Sequence, residues 1–268
     1  MNATTSTSLL SAEPVRSSEL PARRLVRAYL TEARYETVRM LRAPGFALPF
    51  LGMPILLYLL FAVLIAGEAA RADQLTAKFF FTGFSVFGVV GPAMFGFGMN
   101  VAAERTQGLL QLKRALPMPM AAYLLAKVLM ALLFAAIIMA SLIAAGLSLG
   151  HLTLTTGQIA RVATTGILGA VPFCAMGLLI GAWATGRSAP AFVNLVYIPM
   201  LHLSGLFYPL PKSLQAMAPA WPTFHLHQLA LSAAGVDSWG EDLTHVAVLA
   251  GVAVLFTLIA LRRLERVG

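Results

Sequence analysis

The sequence predicts an all-α membrane protein with six transmembrane helices, an N-terminal interfacial amphipathic helix, and short re-entrant or outer helices between spans 5 and 6. Three observations predict it. Of 268 residues, 59% are hydrophobic and only 11% charged, whereas soluble chains carry about 25% charged residues. No charged side chain occurs in residues 43–67, 79–103, 128–160, 162–186 or 243–261, and a hydrocarbon core needs about 20 helical residues per crossing. The alternation of apolar and polar residues that marks a membrane β-strand is absent, which leaves helices to satisfy backbone groups in lipid.

Residues 1–21, rich in Ser and Thr with Pro14 and Pro21, read as a flexible cytoplasmic lead. Residues 22–42 interleave Leu25, Tyr29, Leu30, Val38 and Leu41 with arginines and with Glu32 and Glu36. That pattern suits an amphipathic helix in the membrane interface, its arginines toward anionic headgroups; a plain solvated helix fits the same pattern. The transmembrane domain is expected over residues 43–263. Ala43-Pro44-Gly45 breaks the first helix and turns the chain into the bilayer. Span 1 (46–66) carries Pro49 and Pro54, tolerated where the freed backbone groups find partners. Span 2 (79–103) carries Gly83, Gly88, Gly91, Pro92, Gly96 and Gly98, which allow either close helix approach or a bend. Span 3 (121–149) ends in a turn near His151, and span 4 (159–184) contains Gly177 and Gly181 in the spacing of a close helix contact. After a tight turn at 185–189, span 5 covers 190–207. The apolar stretch 225–234 is too short to cross and reads as interfacial or re-entrant. Span 6 begins near Leu243, and residues 264–268 form a tail.

The formal charge of +8 matters through its placement. Arg16, Arg23, Arg24, Arg27, Arg34, Arg39 and Arg42 precede span 1, Arg105, Lys113, Arg114 and Lys127 accompany the connection from span 2 to span 3, and Arg187, Arg262, Arg263 and Arg266 share that side in a six-span chain. Arg71, Lys78, Arg161 and Lys212 lie on the other. This asymmetry puts both termini in the cytoplasm. It also argues against nucleic-acid binding, because no compact soluble basic module exists. Cys174 is the only cysteine and lies within a span, so it reads as a packing residue. The first twenty residues lack the uninterrupted apolar core of a signal peptide.

Chemistry of its own is hard to find in the chain. It has no Gly-x-x-x-x-Gly-Lys-Ser/Thr loop for nucleotide phosphates and no hydrolase constellation. Ionisable groups buried in spans would mark an ion or proton path, yet His202 is the one such residue the mapped spans are expected to hold. Its bland reading is interfacial or helix packing. His225 and His227 stand two apart without cysteines or clustered carboxylates nearby, which is weak for a metal. A membrane part driven from elsewhere fits these absences.

Two motifs give that part a family. The run Ala103-Glu104-Arg105-Thr106-Gln107-Gly108-Leu109-Leu110-Gln111-Leu112-Lys113-Arg114-Ala115-Leu116-Pro117-Met118-Pro119 resembles the cytoplasmic signature of ABC-2 type (type-2 ABC exporter) permeases. The stretch Leu203-Ser204-Gly205-Leu206-Phe207-Tyr208-Pro209-Leu210-Pro211 is similar to the family's segment after its fifth helix. Lys113-Arg114 is more charged than in many relatives, and Leu110 stands where threonine or glutamate is frequent. The resemblance implies a transmembrane subunit without enzymatic activity, working with a separate ABC ATPase that binds ATP and Mg, and with a second permease copy or close homologue in a bacterial inner membrane. It puts Glu104, Arg105 and Gly108 at the surface that transmits ATPase closure, with Pro117 and Pro119 setting the start of span 3. It puts Ser204, Gly205, Phe207 and Pro209 in an outer re-entrant motif. The implied cargo is hydrophobic or amphipathic, a drug or antibiotic first, a lipid or lipid-linked glycan second; a component serving metal or cytochrome assembly is more remote. A non-transporting scaffold or sensor for an ATPase is the reading from another class.

Overall fold

A computed structural model describes residues 22–115 and 120–267. The expected lead and the positions of Pro117 and Pro119 lie outside the described residues. Within them every regular element is helical. The first, α1 (Ala22–Leu41), buries Glu36 and Met40 and half-buries Tyr29, Glu32 and Ala33, positions that recur at helical spacing along one face. Its open face carries Val26, Leu30 and Val38 among Arg23, Arg27 and Arg34, so apolar and cationic residues interleave there rather than separate.

Pro44 opens α2 (Pro44–Ile65) after an extended Ala43. Proline suits a first helical turn, whose N–H groups have no intrahelical partner. Leu48–Gly52 and Leu59–Ile65 are wound as wide π-type turns. The first surrounds Pro49 and runs up to the turn of Pro54, so the missing amide donors are absorbed in widened turns instead of ending the helix.

A short helix α3 (Gly67–Ala72) leads to α4 (Gln74–Thr106), the central column of the bundle. Asp73 caps it, accepting from the backbone N–H groups of Leu75 and Thr76 at 3.0 and 3.1 Å. Those bonds, Leu75's first, hold the Asp73 carboxyl below its ordinary value. Nearly all of α4 from Phe81 to Gly98 is buried, because α2, α6, α8, α9 and α11 all pack on it. The remaining helices are α5 (Leu109–Ala115), α6 (Met120–Ser148), α7 (Thr156–Leu168), α8 (Ala170–Trp183), α9 (Ala189–Leu203), α10 (Lys212–Gln215), α11 (Pro222–Ala233) and α12 (Asp242–Val267). The capping box of Thr155 and Gln158 starts α7. Its junction with α8 falls at Gly169, three residues before Pro172, whose missing amide leaves the Leu168 carbonyl without its helical donor.

Among the described residues five helical stretches are long and apolar enough to cross a membrane: Pro44–Ile65, Gln74–Thr106, Ala121–Ser148, Thr156–Trp183 and Asp242–Arg266. They agree with expected spans 1, 2, 3, 4 and 6, and the chain is an all-α, multi-span membrane protein. The expected span 5 is shorter than read from sequence. Its helix stops at Leu203, not Phe207, because Gly205 adopts φ +71° and turns the chain, a conformation that glycine reaches without a Cβ clash.

Close packing depends on small residues at one crossing. A Cβ on Gly177 would lie 2.4 Å from the carbonyl oxygen of Met94, and one on Gly181 3.0 Å from that of Gly98. The Gly177/Gly181 spacing is thus the α4–α8 contact, where backbones approach without intervening side chains.

Candidate functional site

At the end of the bundle where α4 finishes, three helices bring four charges together. Glu36 and Arg39 come from α1, Glu104 from the last turn of α4, and Lys127 from the second turn of α6. Lys127 Nζ donates to Glu36 Oε1 at 2.6 Å and to Glu104 Oε1 at 3.2 Å. Arg39 Nη2 donates to the same two oxygens at 3.0 and 3.1 Å. Among the described contacts, two carboxylates therefore face two cations. The Lys127 side chain is 0% exposed, those of Glu36 and Glu104 2% and 5%, and only Arg39 reaches solvent at 36%.

Burial on its own would lower the Arg39 pKa, but Glu36 and Glu104 outweigh it and hold the guanidinium above its ordinary value. Lys127 Nζ also sits 4.9 Å from the ring centroid of Tyr123, a cation–π distance. Nearby, the Asn100 amide donates to Gly96 O at 2.7 Å and approaches Met40 Sδ at 3.4 Å, a further tie between α4 and α1. Removing one partner from such a buried group leaves an uncompensated charge. The three helix ends are therefore held as one unit.

The expectation that His202 alone is ionisable within the spans does not hold. Lys127 lies inside α6 and His245 inside the first turns of α12. His202 itself bonds the Ile198 carbonyl of its own helix at 2.9 Å and packs near Phe207 and Tyr208, in keeping with a packing role.

The other residues of the first motif divide. Arg105 Nη2 donates to the carbonyls of Trp183 and Ala184 at 3.3 and 2.7 Å, a cation on the carboxyl end of α8, where the helix dipole favours it. Gly108 takes φ +72° with nothing within 4 Å of its missing Cβ, and so makes the turn between α4 and α5. Glu104 and Arg105 thus point to different neighbours: one locks α4 to α1 and α6, the other to α8.

At the opposite end the second motif closes against α4. Leu206 is buried, and its carbonyl oxygen would be 2.1 Å from a Cβ on Gly83. Phe207 packs on Phe84 and Phe87 with ring centroids 5.3 and 5.7 Å apart. The Ser204 hydroxyl bonds Thr223 at the start of α11, and Thr223 donates to Met200 O at 2.9 Å. Gly205 and Pro209 line an adjacent cavity of about 300 Å³ together with Phe79, His227, Gln228 and Trp239. The four residues named from sequence are therefore assembled, and helix α11 is stitched to the end of α9.

His225 pairs with a residue that sequence reading missed. Its Nδ1 lies 2.8 Å from Nδ1 of His245, while its Nε2 faces Pro219 O at 2.9 Å and His245 Nε2 faces Trp239 O at 2.9 Å. A carbonyl can only accept, so both Nε2 atoms carry hydrogen, and the contact between the Nδ1 atoms needs one proton to be a bond. A second proton would set two cations side by side. Burial first, and His245 in addition, lower the His225 pKa against the opposing Pro219 bond. His227, buried against Thr82 Oγ1 at 3.2 Å, is pushed by burial to about 4.

His227 is depressed in the folded state, so its stabilising contribution is present above an unfolded pKa near 6.5 and is lost as pH falls toward 4. That contribution approaches roughly 3 kcal/mol. Acidifying the purified protein from pH 7.5 to 4.5 is expected to lower its Tm and raise amide exchange in residues 222–233, with a smaller drop in His227→Asn. Equal acid sensitivity in the two proteins would refute the assignment.

Among the described residues no group of three or more His, Cys, Asp or Glu side chains could hold a metal ion. The residues missed from sequence as members of a site are Glu36, Arg39, Lys127 and His245. The available signal was a solitary lysine well inside an apolar helix.

Comparison with known proteins matches residues 27–233 to the family described as ABC-2 type transporter. The chain is also similar to a protein of Bacillus subtilis (strain 168) named "Putative transport permease YvfS", with 25% identity over 230 residues that cover 84% of this chain and 92% of that protein. The match takes in both motifs, the four-charge cluster up to Lys127, and the helices up to the end of α11.

Proposed function

The chain belongs to the ABC-2 type transporter family and is a membrane permease subunit of an ABC transport system, and from that premise we propose that it is the membrane half of an exporter. In this reading the bundle crosses a bacterial inner membrane six times, α9 making the fifth crossing, with both termini in the cytoplasm. Two permeases, identical or closely related, pair around a path for a hydrophobic or amphipathic molecule, a drug or antibiotic first. A separate ABC ATPase carries ATP and Mg and docks on α1 and the segment after α4. Gly108 makes the turn there, and Pro117 and Pro119 belong to the same coupling segment by resemblance to the family. Ser204, Gly205, Phe207 and Pro209 form the outer lid with α10 and α11.

The observation that carries this reading is the buried group of Glu36, Arg39, Glu104 and Lys127. A partner that shifts α1 cannot move it alone, because the shared carboxylate oxygens pull α4 and α6 with it. Coupling requires that ATP change the relative free energies of two membrane states. A rigid three-helix joint delivers that bias from the docking face into the central column.

The test is reconstitution of the permease with its ATPase in vesicles, measuring ATP hydrolysis and cargo movement across hydrophobic drugs, lipids and lipid-linked glycans. Stimulated hydrolysis with net movement of a drug supports the export reading. Movement of lipid or glycan alone would give the second cargo class. Intact ATPase binding with no transport across the panel would leave a membrane scaffold.

A further inference from the structure

Helix α8 ends beside the last turns of α12. There Ile259, Arg262, Arg263 and Arg266 share one face at helical spacing and, with Trp183, line a cavity of about 340 Å³. The Arg263 guanidinium lies 5.8 Å from the Trp183 ring centroid. Its Nε is buried without a hydrogen-bond partner. Among the described residues no carboxylate lines this cavity; Glu265 stands one helical turn from Arg262 but is not part of the lining. On its other side Trp183 borders a second cavity, about 260 Å³ and almost wholly apolar, formed with Leu179, Ile180, Phe192, Leu195 and Val196. That groove runs from the end of α8 back along α8 and α9, into the depth of the apolar belt. Arg105 holds the Trp183 and Ala184 carbonyls at the junction.

Three cations at the rim of a cavity that no described carboxylate lines, continued by an apolar groove across one tryptophan, have the polarity of a membrane lipid. We propose that this face binds one anionic phospholipid of the leaflet at the basic end. Its phosphate sits on Arg262, Arg263 and Arg266, and one acyl chain passes over Trp183 into the groove. A free phosphate would use only the first half of the site. Clusters of Lys and Arg at the membrane surface select anionic headgroups, each cation strengthening the attraction several-fold.

The test uses the full-length chain in mild detergent with Trp221→Phe and Trp239→Phe, so that Trp183 is the only emitter. Phosphatidylglycerol and phosphatidylcholine with the same brominated acyl chains are titrated as quenchers. Quenching at an about tenfold lower mole fraction of phosphatidylglycerol is expected, and inorganic phosphate should not displace it. The pair Arg262→Gln and Arg266→Gln should abolish the preference, and Arg262→Lys with Arg266→Lys should largely keep it, which separates loss of charge from loss of fold. Equal quenching by both lipids would overturn the proposal in favour of ordinary bulk lipid. Displacement by millimolar phosphate would reduce the site to an anion site. Protection of Trp183 from both lipids in the complex with the ATPase would make the face a protein contact instead.

Discussion

Lys127→Met is expected to destabilise the folded permease by about 3–5 kcal/mol, the range for breaking a buried ion pair from one side. Lys127 is fully buried and donates to both Glu36 and Glu104. Among the described contacts its loss leaves Arg39 between the two carboxylates, and Arg39 is itself 36% exposed and so the weaker counter-charge. The deficit is electrostatic rather than volumetric, since methionine fills much of the lysine stem. Removing a negative charge as well should therefore restore balance. Lys127→Met with Glu104→Gln is expected to be more stable than Lys127→Met alone, with a coupling energy of about 2 kcal/mol or more. Thermal unfolding of the four proteins in one detergent checks it; additive losses would mean that the charges do not act as a unit.

Gly177→Val is expected to cost about 1–3 kcal/mol or more, the overpacking range, and to loosen the crossing of α4 and α8. The new Cβ would meet the Met94 carbonyl oxygen at 2.4 Å and Phe97 Cβ at 2.9 Å. Neither is the free end of a flexible side chain, so relief requires moving a helix. Gly181→Ala, whose Cβ would lie 3.0 Å from both Gly98 O and Val101 Cβ, should cost less. Gly157→Ala is the control, with nothing within 4 Å, and should be neutral or slightly stabilising because alanine favours the helix. A Tm ranking of Gly157→Ala above Gly181→Ala above Gly177→Val is the predicted result. A Gly177→Val protein as stable as the wild type would remove the close crossing from the account.

The two cases mark what the sequence could disclose. Gly177 and Gly181 stand four apart on one helix, so a local spacing rule was enough to suspect their contact. The long apolar helices were legible for a similar reason, since lipid excludes charge and the gaps between charged residues outline them. The charge cluster was not legible. Lys127 finds Glu104 across 23 residues and Glu36 across 91, and nothing local specifies either partner. His225 and His245 likewise meet across 20 residues and two elements. The early stop of α9 at Leu203 depended on the backbone angle of Gly205, which an apolar run does not reveal. The second motif was read by resemblance to a family, and that reading did not include the Leu206 carbonyl pressed onto Gly83.

The central claim is that the joined ends of α1, α4 and α6 carry the ATPase cycle into the membrane helices. The most direct measurement is cargo released per ATP hydrolysed in vesicles, comparing wild type with Glu104→Gln at matched insertion and ATPase binding. Glutamine keeps the shape of Glu104 but removes its charge from Lys127 and Arg39. The account predicts continued hydrolysis with the cargo-to-ATP ratio reduced about tenfold or more, because ATP closure no longer biases the membrane helices. An unchanged ratio in the Glu104→Gln protein would contradict it.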